Sequence, residues 1–327
     1  MQTTQRKTIF SALAALILVL SATAYLLADR YLIEHVEVAN IPPAAALVST
    51  PVAVQAAAAA TPAPTAAPQK TAAVSTAVTS AAWNYRSDDV TISIKKVVTG
   101  SGASTVTYFT ADVVLADATQ LSNAFAKNKF GRNIIETTSQ IAENNGAIFA
   151  INGDYYGFRT DGIIIRNGVI YRDQPARIGL AFYTDGSMKI YDETTTSAQA
   201  LLQAGVWNTL SFGPALVQNG VVAASFKNVN IDNNFGNHTI EGNNPRTGVG
   251  IIDHNHFVFV VVDGRSSGYS RGVTLGEFAA IFKSLGCTDA YNIDGGGSST
   301  MYFMGRVVNN PLGDNKERGT SDILFIG

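Results

Sequence analysis

The stretch that most constrains the fold of this chain is "NIDGGGSSTMYF", Asn292 to Phe303. A single carboxylate, Asp294, follows an apolar run and precedes three glycines and three hydroxyl residues. Consecutive glycines lose much backbone entropy and bury no side chain, so they occur where the backbone takes positive φ or where another group approaches closely. The stretch therefore predicts a tight turn at a strand end, with a carboxylate at its start.

The known nucleotide-binding loops do not fit this turn. A P-loop requires Gly-Lys-Ser/Thr, and the lysine is missing here. A dinucleotide fingerprint opens a helix, whereas the "TMYF" that follows the glycines favours a strand. Exposed backbone N–H groups suit an anion such as phosphate, so two interpretations stay open: an anion site, or a turn without a ligand.

The sequence outward from this turn predicts mainly strands. From Trp83 onward, apolar and polar residues alternate over many short segments. Asn-Gly or Asp-Gly pairs at 167–168, 185–186 and 219–220 predict hairpin turns. The clearest helix is "TLGEFAAIFKSLG", which begins with a capping box. The predicted fold class is α+β, a β-rich single catalytic domain with a few helices.

The N-terminus predicts a membrane anchor. Arg6 and Lys7 precede an uncharged run from Ile9 to Ala28, and this run has the length of ~20 residues that a bilayer requires. The flanking positive charges place the N-terminus inside and the rest of the chain outside the cytoplasm, as a single-pass protein of the cell membrane. Ala22-Thr23-Ala24 resembles a signal-peptidase site, which leaves a secreted protein as the alternative.

A low-complexity stretch separates the predicted anchor from the predicted domain. It is rich in Ala, Pro and Thr and lacks large side chains, as expected of a disordered stalk. The expected organisation is an anchor in residues 1–30, the stalk in 31–82 and the domain in 83–327. We expect residues 83–327 to fold without the first 82.

Charge and cysteine content exclude other classes of protein. The formal net charge of −2 argues against nucleic acid as a partner. The single cysteine, Cys287, excludes an intrachain disulfide framework. His254 and His256 are predicted turn residues rather than metal ligands.

Three other polar clusters resemble the first one: two follow predicted strands, and the third lies just before the last predicted strand. They are "AIFAINGDYYGF", "FVFVVVDGRSSGYSRGVTL" and "NNPLGDNKERGTSDILFIG", which bring Asn152, Gly153, Asp154, Asp263, Gly264, Arg265, Glu317 and Arg318. Each cluster alone is compatible with a solvated turn. Together they predict a site assembled from strand ends.

These segments resemble the phosphodiester glycosidase domain family, the family of the mannose 6-phosphate uncovering enzyme. Further segments that carry the resemblance are "GPALVQNG", "PRTGVG" and "LGCTDAYNIDGGGSSTM", and the whole covers roughly residues 90 to 327. Some bacterial members are linked to exopolysaccharide biosynthesis. One position departs from the family pattern: Asp154 stands where the family usually has glycine.

The resemblance implies a hydrolase that cleaves a sugar 1-phosphodiester at the cell surface, for example in a glycan linked through N-acetylglucosamine 1-phosphate. The products would be the free sugar and a phosphomonoester. Asp294 and Glu317 are the candidate catalytic carboxylates, and Arg265 and Arg318 the candidate catalytic arginines. The candidate substrate-binding residues are Asn152, Asp154, Arg246, Asp263, Gly295, Gly296, Gly297, Ser298 and Ser299.

Two other functions stay open on the sequence alone. A non-catalytic protein that binds or assembles cell-wall or exopolysaccharide polymers would present a similar surface. A metal-dependent phosphoesterase would gather Asp154, Asp263 and Asp294 around a divalent cation. We therefore expect no cofactor other than, in the case of the phosphoesterase, a divalent cation. The expected partner is a phosphoglycan.

Overall fold

The structure is a computed structural model that describes residues 2–41, 79–80, 83–227, 229 and 240–327. Its α-helices are α1 (Gln2–Tyr31), α2 (Thr138–Asn144), α3 (Ala198–Gln203) and α4 (Leu275–Ser284). Single 3-10 turns lie at Gly102–Ser104, Ala118–Gln120, Ala126–Asn128, Tyr156–Phe158, Glu193–Thr195, Gly296–Ser298 and Pro311–Gly313. The remaining regular structure consists of strands, which confirms the predicted β-rich α+β class.

Two antiparallel sheets carry most of the strands. In spatial order, the nine-stranded sheet contains β15 (Val221–Val222), β14 (Ala215–Gln218), β18 (Asp289–Ile293), β16 (Arg246–Asp253), β17 (His256–Val262), β5 (Val106–Leu115), β4 (Val90–Thr99), β3 (Asn84–Arg86) and β2 (Thr79–Ser80). The five-stranded sheet contains β20 (Arg306–Val307), β19 (Met301–Phe303), β8 (Phe149–Asn152), β21 (Asp322–Ile326) and β6 (Ser122–Phe125).

Three smaller sheets complete the fold. They are β12 (Met188–Asp192), β11 (Ile178–Tyr183) and β13 (Val206–Leu210); β9 (Gly162–Arg166) with β10 (Val169–Gln174); and β1 (His35–Val38) with β7 (Phe130–Arg132). The three predicted hairpins are confirmed as β9–β10, β11–β12 and β14–β15. At two of them an asparagine takes positive φ, 50° at Asn167 and 49° at Asn219, which suits the Asn-Gly turn.

The main hydrophobic core joins the nine-stranded and five-stranded sheets. The rings of Phe149 on β8 and Phe259 on β17 lie 5.1 Å apart, and both side chains are fully buried. On the opposite face of the nine-stranded sheet, α4 buries Phe278 and Phe282. Burying each such side chain contributes about 1.5–3 kcal/mol, so the relative position of the sheets is strongly determined.

The predicted membrane anchor lies in α1. In the part of the chain that the structure describes, none of the helices has both the length and the apolar character needed to cross a membrane. The anchor predicted for Ile9 to Ala28 is thus not supported, and the location of the protein stays a prediction.

The first part of the predicted stalk is an ordered strand, which corrects the sequence-based boundary. β1 pairs with β7 through His35 opposite Arg132 and Val36 opposite Gly131. The Ile41 N–H donates to the Asn128 carbonyl at 3.0 Å, so the pairing continues past the strand end. Most of the predicted stalk, residues 42–78 and 81–82, lies outside the described residues.

The segment that contains β1 also docks through side chains. Asn133 Nδ2 donates to the carbonyls of Asp29 at 3.0 Å and Ile33 at 2.8 Å. Ile41 packs against a buried aromatic cluster that includes Phe130 and Tyr156. Residues 29–41 therefore form part of the folded body.

A truncated protein of residues 83–327 should melt cooperatively but at a lower temperature than one of residues 29–327. Loss of the β1 pairing and of the Ile41 contact should lower the free energy of unfolding by about 1–3 kcal/mol. Urea denaturation of the two truncated proteins measures this difference. Equal stability would show that β1 contributes nothing to the domain.

Candidate active site

The glycine-rich turn connects the two large sheets. β18 ends at Ile293 in the nine-stranded sheet, and β19 begins at Met301 in the five-stranded sheet. Asp294 lies directly after β18, and Asn152 is the last residue of β8. The predicted gathering of polar strand ends is therefore present, at the edge where the sheets meet.

The amide of Asn152 holds this junction together. Its Nδ2 donates to the carbonyl of Asp294 at 2.8 Å, and its Oδ1 accepts from Thr300 N–H at 3.2 Å. The same Oδ1 accepts from the hydroxyl of Thr247 on β16 at 2.7 Å. Asn152 is fully buried, so it ties both ends of the turn and β16 to β8. This role in the protein interior corrects the expectation that Asn152 contacts substrate.

The glycines make room for two arginine side chains. Gly296 has a φ of +62°, and a Cβ built there would lie 3.3 Å from Nη2 of Arg265. A Cβ on Gly297 would lie 3.2 Å from Cδ of Arg318. The sequence predicted that some group approaches these glycines closely. The structure shows that the side chains of Arg265 and Arg318 do so.

Asp294 is a nearly buried carboxylate with a cation beside it. Its Oδ1 accepts from Gly295 N–H at 2.9 Å, and its Oδ2 lies 3.2 Å from Nη2 of Arg318. Burial raises the pKa of Asp294 above its ordinary value, while Arg318, Ser298, Gly295 N–H and Arg159 act in the opposite direction. The site therefore holds a titratable carboxylate whose charge depends on neighbouring cations.

Arg318 is the solvent-exposed partner of the Asp294 carboxylate. Its Nε and Nη2 donate to Ser298 Oγ at 3.1 and 2.6 Å, which holds the guanidinium over the turn. The side chain is still 48% exposed, whereas that of Asp294 is 8% exposed. Arg318 therefore presents a fixed cation to an incoming anion.

Arg265 is the second cation on the solvent side of the turn. It is exposed, and its Nη2 donates to Asn244 Oδ1 at 2.9 Å. Its φ of +58° is in the left-handed region, which is uncommon for a residue with a side chain. The loop after β17 therefore directs this guanidinium toward Gly296.

The expectation that Asp263 and Arg246 bind substrate is corrected by their burial. Asp263 is 2% exposed and accepts hydrogen bonds from Tyr269 at 2.8 Å and Asn309 at 2.7 Å. Arg246 is 3% exposed and donates to the backbone carbonyls of Val273, Ile240 and Gly242. Burial, and next the charge of Arg265, lower the pKa of Arg246 to about 10. Both side chains hold loops in place.

Glu317 does not pair with Asp294 as the sequence predicted. Its carboxylate accepts hydrogen bonds from the backbone N–H and the hydroxyl of Ser139, in the first turn of α2. That position suits a carboxylate because the first N–H groups of a helix lack partners within the helix. Glu317 therefore anchors α2, and Asp294 is the acid group beside Arg318.

Asp154, the departure from the family pattern, lies in a buried ionic cluster. Its Oδ2 accepts from Ser211 N–H at 2.6 Å and lies 3.7 Å from Nη2 of Arg166. Arg166 Nε donates to Asp322 Oδ2 at 2.8 Å. Burial alone would lower the pKa of Arg166, but the carboxylates of Asp322 and Asp154 outweigh it and raise that pKa. Asp154 thus positions the chain around Ser211 and is not exposed to substrate.

The structure adds Arg159, which the sequence reasoning missed. Its Nη1 donates to the carbonyl of Ser211 at 3.2 Å, and its guanidinium lies 5.0 Å from the ring of Tyr155 and 5.5 Å from that of Phe212. Its charge acts against burial, which raises the pKa of Asp294. The signal was available, since Arg159 follows Asp154 by five residues, directly after the polar cluster that contains Asp154.

The geometry gives no support to the three-carboxylate metal site. Among the residues that the structure describes, no group of three or more His, Cys, Asp and Glu side chains could hold a metal ion. The carboxylates of Asp154, Asp263 and Asp294 each bond to separate protein groups. A requirement for a divalent cation stays an untested expectation.

The sequence profile of the phosphodiester glycosidase family matches residues 145–327. This match includes the glycine-rich turn, Arg265 and Arg318, and the chain belongs to that family.

Known proteins that are similar to the chain include a bacterial protein and a zebrafish enzyme domain. The uncharacterised SPbeta prophage-derived protein YomE of Bacillus subtilis (strain 168) is 32% identical over 206 residues, which cover 60% of this chain and 30% of YomE. The chain thus spans less than a third of this curated relative. The catalytic domain of zebrafish N-acetylglucosamine-1-phosphodiester alpha-N-acetylglucosaminidase, auto-inhibited by its pro-peptide, matches with a TM-score of 0.55 at 20% identity. That match covers 72% of this chain and 83% of the zebrafish domain, and it shows a shared fold.

Replacing Asn152 by Ala should destabilise the protein by about 2–5 kcal/mol, because the Asp294 carbonyl, the Thr300 N–H and the Thr247 hydroxyl lose a buried partner. Asn152→Asp should also destabilise, since a carboxylate cannot donate to the Asp294 carbonyl. Urea denaturation measures both, with the exposed Asn84→Ala as control. An Asn152→Ala variant as stable as Asn84→Ala would contradict the role of this amide.

Proposed function

We propose that this protein hydrolyses the bond between the anomeric carbon of a sugar and the phosphate of a 1-phosphodiester. The observation that carries the proposal is the pairing of nearly buried Asp294 with half-exposed Arg318 at 3.2 Å, at the start of the glycine turn. A substrate phosphate on the cation would bring the anomeric carbon close to the carboxylate.

Arg318 and Arg265 would bind the phosphate. A guanidinium offers parallel N–H donors that match two phosphate oxygens, and such charge-assisted bonds are strong. Both arginines lie against the glycine turn and are exposed to solvent. They would also stabilise the charge that develops on the departing phosphate.

Asp294 would act on the sugar side of the bond. The leaving phosphomonoester has a second pKa of about 6, so it requires less protonation than a sugar alcohol. The anomeric carbon gains positive charge in the transition state, and a nearby carboxylate stabilises it. Because Glu317 is bonded to α2, Asp294 would carry this role as an anion without a second carboxylate.

The comparisons support the reaction class and leave the substrate open. Membership of the phosphodiester glycosidase family favours cleavage of a sugar phosphodiester. The zebrafish domain is named for action on an N-acetylglucosamine 1-phosphodiester, so N-acetylglucosamine 1-phosphodiesters are the first substrates to try. Action on exopolysaccharide outside the cytoplasm is the setting that we propose from the sequence.

Asp294→Asn should lower kcat by about 10³-fold or more, because the amide keeps the shape of the side chain and removes its negative charge. The melting temperature should change little, since an amide oxygen can still accept from Gly295 N–H. Release of free N-acetylglucosamine from UDP-N-acetylglucosamine or from a glycan 1-phosphodiester measures the activity. Asp253→Asn, at the far end of β16, is the matched control. Normal turnover in Asp294→Asn would remove this carboxylate from the mechanism.

The acid limb of kcat/KM should shift to higher pH in Arg318→Met. Ionised Asp294 is present above its pKa, so activity falls as the pH drops through that value. Removing the Arg318 cation removes a charge that lowers the pKa of Asp294, so the pKa rises further. The residual activity of the variant, followed across pH, tests this, with Arg86→Met as the control. A limb that stays in place or moves to lower pH would disprove the coupling.

A further inference from the structure

Asp263 is a buried carboxylate that the proposed reaction does not use. It lies directly after β17 and is 2% exposed. Its Oδ2 accepts from the hydroxyl of Tyr269 at 2.8 Å, and its Oδ1 accepts from Nδ2 of Asn309 at 2.7 Å. The backbone N–H of Asn310 donates to the same Oδ2 at 3.0 Å and to Oδ1 at 3.1 Å. Three donor groups therefore meet on one carboxylate.

These donors connect two loops, each of which carries one of the arginines at the glycine turn. One donor, the tyrosine, lies in the 264–270 loop, which also carries Arg265. Asn310 begins the 310–318 loop, which ends at Arg318. The two loops that bring cations to the turn are therefore bonded to the same buried carboxylate.

The 310–318 loop is held in a compact shape. The Asn315 N–H donates to Oδ1 of Asn310 at 2.7 Å, which closes the first part of the loop. A Cβ built on Gly313 would lie 2.6 Å from the Cβ of Ser266, so this loop also packs against the other one. The bond to the carboxylate at the start of the loop therefore affects the position of its last residue, the second arginine.

The two guanidinium groups approach neighbouring residues of the glycine turn. Nη2 of Arg318 lies 3.5 Å from the carbonyl oxygen of Gly295. A Cβ built on Gly296 would lie 3.3 Å from Nη2 of Arg265. A single phosphate at this point of the turn would therefore contact both arginines, provided that the two loops keep their relative position.

We propose that Asp263 is a positioning residue for phosphate binding, which holds the two loops so that Arg265 and Arg318 bind the same phosphate. This inference rests on the proposed function for the place of the phosphate. Two guanidinium groups on one phosphate form several charge-assisted hydrogen bonds, and their combined strength depends on the distance between the groups. A cation that is already held in place loses less conformational freedom when it binds.

The three donors around Asp263 match an ionised carboxylate, which only accepts hydrogen bonds. Burial raises the pKa of Asp263, while the bonds from Asn309, Asn310 and Tyr269 and the charge of Lys96 act in the opposite direction. The amide introduced by Asp263→Asn would turn its NH2 group toward the Asn310 N–H in either orientation, because that N–H lies 3.0–3.1 Å from both oxygens. Two donors that face each other repel, so the 310–318 loop would move away.

Binding of inorganic phosphate to the full chain, measured by titration calorimetry, tests this role without requiring turnover. Asp263→Asn should weaken phosphate binding about tenfold, as expected when one of the two arginines no longer reaches the ion. Arg318→Met should weaken it at least as much, which identifies the site that is being measured.

Glu193→Gln is the matched control. Glu193 is fully buried, and it accepts hydrogen bonds from the backbone N–H groups of Ile163, Ala176 and Arg177. Its replacement also exchanges a buried carboxylate for an amide, but its hydrogen bonds go to neither arginine loop. The phosphate affinity of Glu193→Gln should equal that of the unmodified protein.

A double variant separates positioning from a general loss of stability. Arg265→Met should weaken phosphate binding about tenfold in the otherwise unmodified protein and in Glu193→Gln. In the Asp263→Asn protein the same change should cost only about twofold, because Arg265 and Arg318 no longer share the phosphate. A loss of stability alone would not change the contribution of Arg265.

Tyr269→Phe provides a milder variant if Asp263→Asn does not fold. It removes the single bond from the hydroxyl and keeps the ring, so phosphate binding should weaken about threefold. Tyr183→Phe, at the half-buried end of β11, is its matched control and should leave the affinity unchanged.

The outcomes distinguish this inference from the proposed reaction. If no sugar is released but Asp263→Asn and Tyr269→Phe weaken phosphate binding as described, the reaction is wrong and the positioning role stands. If both variants bind phosphate as tightly as their controls, or if Arg265→Met costs the same in every protein, the positioning role is overturned. Absence of phosphate binding by the unmodified protein would overturn it as well.

Discussion

The amide of Asn152 is the interaction on which the site depends. A buried amide has both donors and acceptors, and here it bonds to both ends of the glycine turn and to β16. These bonds fix where β18 in one sheet gives way to β19 in the other. The direction of Asp294 follows from that geometry, because its own carbonyl is one of the bonded groups. The catalytic proposal therefore rests on a residue that does not reach solvent.

The site illustrates two uses of buried charge within one fold. Arg166, between Asp154 and Asp322, is fully buried, and such a cluster fixes the chain because breaking it would leave an unpaired charge. Asp294 and Arg318 differ, because one partner is buried and the other is half exposed. Under the proposed function, an incoming phosphate would compete for that arginine and leave the carboxylate facing the sugar. The exposure of its cation, more than the number of its charges, distinguishes the proposed reactive pair from the structural cluster.

The sequence predicted those elements that depend on residues close to one another in the chain. The hairpins and α4 follow from turn residues, alternation and a capping box, so their existence was predictable. The docking of β1 was not, since its four residues lie within a predicted stalk and their partner strand is almost 100 residues away. Glu317 is a candidate on the sequence because it lies with Arg318 in the polar cluster before the last strand, but neighbouring residues often point in different directions, and Glu317 points to α2. Asp263 and Arg246 are buried, unlike the residues that face solvent. The sequence did not predict this, because a pattern of residue types does not show which side chains are buried.

The central claim is that the bond from the anomeric carbon to oxygen breaks, and not the bond from phosphorus to oxygen. Hydrolysis of an N-acetylglucosamine 1-phosphodiester in ¹⁸O-labelled water tests it most directly, with ³¹P NMR of the phosphomonoester and mass spectrometry of the sugar. The account predicts ¹⁸O on the released sugar and none in the phosphate. Incorporation of ¹⁸O into the phosphate would contradict it, because water would then have attacked phosphorus and Asp294 would not act at the sugar.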